Sequence, residues 1–146
     1  MKEKNKMRFM MIVKANPESE SGAMPGPEVF AEMGRFNEEM LKAGVMLSGE
    51  GLLPSSKSAR IAFDGMNRTV TDGPFAETKE LVAGFWIMKT NSLEEAIEWG
   101  KRVPFQEGEV EIRQIAETED FEGIMNPEDI QREHSMREEL ERRAGV

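Results

Sequence analysis

One bend dictates how this chain can be threaded. At Asp72-Gly73-Pro74 the glycine tolerates positive φ, the proline fixes its own φ, and the proline also disfavours the α region for the residue before it. Neither a helix nor a strand continues through such a step. The polar run Glu77-Thr78-Lys79-Glu80 follows, and it leads directly into Leu81-Val82-Ala83-Gly84-Phe85-Trp86-Ile87-Met88, the most apolar segment of the chain. A loop longer than a hairpin needs, anchored on a buried strand, is where binding residues concentrate.

Two segments are apolar on both alternating sets of residues. In 8–14 the sets are Phe9, Met11, Val13 and Met10, Ile12; residues 80–89 repeat the pattern. Strands of this kind are covered on two faces and are central in their sheet. Residues 15–26, rich in Pro, Ser, Gly and Glu, read as a solvated connector or a flap over a neighbouring pocket. A helix begins at Pro27 with Glu28 beside it and ends at Gly44, with Val29, Met33, Phe36 and Met40, flanked by Phe30 and Leu41, as its apolar face. Residues 45–53 form a strand broken by Gly49 and Gly51 and stopped by Pro54. Residues 59–63 and 68–71 make a hairpin across Asp64-Gly65-Met66-Asn67. A second helix opens on a capping box, Ser92 with Glu95, and stops before Pro104.

The last strand, 109–116, puts Val110 and Ile112 on one side and Glu111 and Arg113 on the other. This order of elements is an α+β, ferredoxin-like split βαβ with an added hairpin, and both helices cover one face of its sheet. The other face carries large apolar residues from both central strands, more than a monomer exposes, so a second copy laid against it is expected. Glu111 and Arg113 then point into the enclosed space, where they pair with each other or hold a ligand.

Composition removes several classes of function. The net charge of −9 argues against nucleic acid as a partner, since phosphates must be neutralised by Lys and Arg. There is no Cys and one His, His134, so neither a metal site nor a bound cofactor is expected, and a reducing cytoplasm fits. No apolar run reaches the ~20 residues that span a bilayer, so no membrane partner is expected. At 146 residues one domain is expected, over 7–117, with an acidic, partly helical tail over 118–146.

Residues 72–80, DGPFAETKE, resemble throughout the signature of the DGPF branch of the YCII-related domain family; Gly51-Leu52-Leu53-Pro54, the 93–99 helix and Val110-Glu111-Ile112-Arg113 resemble it too. The resemblance implies a dimeric α/β-barrel, association with extracytoplasmic-function sigma factors, and no settled reaction. Relatives in the wider family resemble enzymes with a His and Asp pair. No His stands within 7–117, so that chemistry does not carry over. The expectation is a cytoplasmic homodimer that binds a small ligand between its sheets, with weak catalysis at most; the alternative is an interaction module for a sigma factor. The candidate ligand-binding residues are Asp72, Lys79, Glu80, Glu111 and Arg113. Asp72 is also read as the acceptor of its own Asx turn, and the 77–80 charges as a solvated edge.

Overall fold

The computed structural model describes residues 6–76 and 80–145. The chain runs β1 (Met7–Lys14), a one-turn helix α1 (Pro17–Glu20), α2 (Pro27–Lys42), β2 (Met46–Gly51), β3 (Ala59–Asp64), β4 (Asn67–Asp72), β5 (Val82–Thr90), α3 (Leu93–Lys101), β6 (Val110–Gln114) and α4 (Pro127–Ala144). Four strands form one antiparallel sheet in the order β2-β5-β1-β6, with β3 and β4 paired separately as a hairpin. The two doubly apolar strands are therefore its centre, and the fold is α+β and ferredoxin-like.

Strand pairing sorts every side chain by face. Phe9 lies opposite Met88 and Met11 opposite Trp86, and these four pack with Phe36 and Met40 of α2 and Ala96 of α3. Met11, Met40 and Met88 are fully buried, and each such side chain contributes roughly 1.5–3 kcal/mol by leaving water. Phe36 meets the Trp86 ring edge-on, with centroids 5.5 Å apart. Gly49 makes room for that indole: a Cβ there would sit 2.8 Å from Trp86 Cδ1. The buried stripe of α2 is narrower than its sequence suggests, because Phe30 and Leu41 remain more than half exposed.

The helix ends follow local chemistry. Pro27 opens α2, and Gly44, at φ +75°, takes the left-handed turn beyond its end. Ser92 Oγ accepts the Glu95 N–H at 3.1 Å, while the Glu95 carboxylate reaches one residue past the cap to the Asn91 N–H. Residues 15–26 are more ordered than their composition suggests. Asn16 and Ser19 bond each other's backbone N–H at 2.8 and 3.0 Å, and Pro17 at the first helical position completes α1.

The chain divides into two compact units, the first ending at Gln114 and the second beginning at Ile115. In the second, α4 has no buried residue and is laced by ion pairs such as Glu133 with Arg137 at 3.0 Å. His134 is exposed there, within 3.2 Å of Thr118 Oγ1. No helix among the described residues is long and apolar enough to cross a membrane.

Candidate functional site

The bend at residues 72–75 is seated on the turn after β2. Pro54 stops the strand and Ser55–Lys57 coil into a 3-10 turn, leaving Ser55 almost fully buried. Its hydroxyl donates to Glu20 Oε1 and accepts the Phe75 N–H at 2.9 Å; its own N–H donates to Glu20 Oε2 at 3.0 Å. Three residues on, the Ser58 carbonyl accepts the Gly73 N–H at 2.9 Å. The Gly73-Pro74 peptide is cis, and the backbone comes so close that a Cβ on Gly73 would lie 1.8 Å from the Ser55 carbonyl oxygen. Only glycine fits. Above this seat the Arg60 guanidinium lies 3.8 Å from the centroid of the Phe75 ring.

Neither Glu20 nor Ser55 was a candidate from sequence. The signals were the Asn16-Pro17 pair, which starts a helix ending at Glu20, and the Pro54-Ser55 step. The pair resembles a nucleophile beside a carboxylate, but both the proton and an acceptor site of Ser55 Oγ are committed to holding the loop. Its role is structural. Ser55→Ala leaves the Glu20 carboxylate and the Phe75 N–H without this partner and is expected to cost about 1–3 kcal/mol in denaturant unfolding. A variant as stable as the parent would show that the seat is not held by this hydroxyl. Beside it opens a cavity of about 450 Å³, lined by Leu52, Leu53, Lys57 and Ser58 with Arg60 and Phe75.

The second feature is the sheet face away from the helices. Val110 and Ile112 pack toward the core, so Glu111 and Arg113 stand on the opposite side, paired in register with Ile12 and Met10. Glu111 is shared by two cations: Lys14 Nζ at 3.1 Å and Arg113 Nε at 3.6 Å. Arg113 keeps 72% of its side chain exposed, so its charge is only partly spent on this pair. Register places Met10, Ile12, Phe85 and Ile87 at the middle of this face, with Arg8 and Lys89 opposite each other at one end and Glu50 opposite Phe85. Among the described residues the face thus carries Arg8, Lys14, Lys89 and Arg113 together with Glu50 and Glu111.

The five candidate residues are not gathered into one cluster. Glu111 and Arg113 meet on the sheet face. Asp72 ends β4 opposite Ala59, exposed, and Glu80 is exposed just before β5. Neither makes a side-chain hydrogen bond or ion pair among the described residues, so the Asx-turn bond read for Asp72 is not present among them. Lys79 lies outside the described residues.

Comparison with known proteins adds two findings. The family model of the YCII-related domain matches residues 7–119. An uncharacterised protein of Rhizobium meliloti (strain 1021) is 29% identical over 107 residues, which cover 69% of this chain and 86% of that protein.

Proposed function

Given that the chain belongs to the YCII-related domain family, we propose that it works as a cytoplasmic homodimer whose two helix-free sheet faces meet and enclose a small anionic ligand. The observation that carries this reading is Arg113, which stands on that face with most of its side chain exposed. Two copies brought together would take the exposed part of the Arg113 charge out of water, which is costly unless an anion neutralises it. Arg113 offers a planar fork suited to a carboxylate or phosphate, and Glu111 orients it together with Lys14.

The size of the surface supports a role for the hairpin as well. Four strands spaced about 4.8 Å apart and roughly 20 Å long offer about 400 Å² of flat face. A standard interface takes about 800 Å² from each partner. The β3–β4 hairpin is exposed along its whole length and presents Ile61, Phe63 and Val70, which are 56%, 71% and 63% exposed. An isolated hairpin is marginal in water, so contact with the partner copy stabilises it and enlarges the interface.

Calorimetric titration with inorganic phosphate and with benzoate tests the ligand. Binding of one of them to the wild type, weakened about tenfold or more in Arg113→Gln, is the expected result, since a lost charge-assisted hydrogen bond is worth about 1.5–3 kcal/mol. Equal affinity in the variant overturns the assignment. A second reading is an interaction module for an extracytoplasmic-function sigma factor. It draws on the acidic balance of a chain whose net charge is −9, which suits a basic partner. Absence of any anion binding favours it.

A further inference from the structure

A separate cleft lies on the helix side of the sheet, and its chemistry is opposite in sign. Its inner chamber, about 360 Å³, is lined mostly by carbon: Val29, Phe30 and Met33 of α2, Trp86 of β5, and Phe105. The polar atom of the indole is already satisfied, because Trp86 Nε1 donates to Asn37 Oδ1 at 2.8 Å. A chamber of this volume is within the range of small-molecule sites. Phe30 and Phe105 are 57% and 37% exposed, so aromatic faces are open to an incoming group. An outer chamber of about 530 Å³ shares Val13, Pro25, Val29, Ala83 and Phe105 with the inner one, which makes the two continuous.

The outer chamber is acidic. Glu18, Glu107 and Glu109 line it, and none of the three makes a side-chain ion pair among the described residues. Among the described residues its one cation is Lys14, which is engaged by Glu111 at 3.1 Å. Carboxylates at the entrance and aromatic rings within select for a positive charge on an apolar body. The carboxylates attract the charge at range, and ring faces bind a cation or an aromatic body at contact. We propose that this cleft is a binding site for a small organic cation, an ammonium or guanidinium group carried on an aromatic or aliphatic body. The body occupies the chamber beside Trp86 and the charge stays among Glu18, Glu107 and Glu109. This site does not depend on the anion proposed for the sheet face: the inner chamber opens beside Trp86 on the helix side, Arg113 stands on the other face, and Lys14 borders both at the sheet's edge.

Calorimetric titration of the full chain with 2-naphthylmethylammonium, 2-naphthylmethanol and 2-naphthoate separates charge from body. The ammonium is expected to bind about tenfold more tightly than the alcohol, and the Trp86 indole N–H resonance should shift on saturation. In Glu107→Gln/Glu109→Gln the ammonium should lose about three- to tenfold in affinity while the alcohol is unchanged. Phe105→Ala should weaken both. Both variants are at partly or fully exposed positions, and circular dichroism checks that they fold. Affinity no greater for the ammonium than for the alcohol, unchanged ammonium affinity in the double variant, or binding that leaves the Trp86 indole resonance in place would overturn the proposal.

Discussion

Gly73→Ala is expected to lower the stability of the protein by about 3 kcal/mol or more, at the upper end of what overpacking costs. The reason is a single distance. A methyl group on Gly73 would lie 1.8 Å from the Ser55 carbonyl oxygen and 2.7 Å from its carbon, and both are backbone atoms that no side-chain rotation can move. Relief requires the loop to lift from the turn. Lifting breaks the Gly73 N–H bond to Ser58 and the Phe75 N–H bond to Ser55, and it takes the Phe75 ring from under Arg60. For a chain of this length the loss corresponds to a fall in Tm of about 10 °C. Gly34→Ala in the middle of α2, where nothing lies within 4 Å of the added methyl, is the control. It should raise stability by roughly 0.5–1 kcal/mol through helix propensity. Thermal melting of both variants decides the matter. A Gly73→Ala protein that melts with the parent would mean that the loop is not held in this seat.

Much of the fold was legible because its signals are local and repeated. Alternating apolar residues in β1 and β5 placed those strands at the centre, and Pro27, Gly44 and Ser92 marked helix ends that the backbone confirms. The side chosen by Glu111 and Arg113 followed from period-two alternation against Val110 and Ile112. The seat of the loop was not legible. It depends on Glu20, Ser55 and Phe75, residues 35 and 20 positions apart, and no local pattern announces a bond over such a separation. Asp72 drew attention because Asp before Gly commonly closes its own turn, whereas the turn here is held by the backbone of Gly73 and Phe75. The aromatic cleft was hidden for a related reason. Phe30 reads as core by spacing, yet it faces a chamber that forms only when Phe105 and Trp86 are brought beside it.

The second large effect is expected at the centre of the helix-free face. Ile87 sits between Met10 and Ser48 on neighbouring strands, pointing away from the core that Trp86 and Met88 join. Ile87→Lys leaves that core untouched, so the protomer should keep its helical and strand content. In a dimer built on this face the substitution adds one more positive charge from each copy to a surface already rich in cations. Burying it without a partner should weaken association by about 3 kcal/mol or more, more than a hundredfold in the dimerisation constant. Sedimentation equilibrium at micromolar concentration, run on wild type and Ile87→Lys together, reads this directly. The wild type is expected at twice the 16.5 kDa chain mass and the variant at the mass of one chain; a wild-type protein that sediments as a single chain, or a variant that remains fully dimeric, would contradict the paired-sheet account.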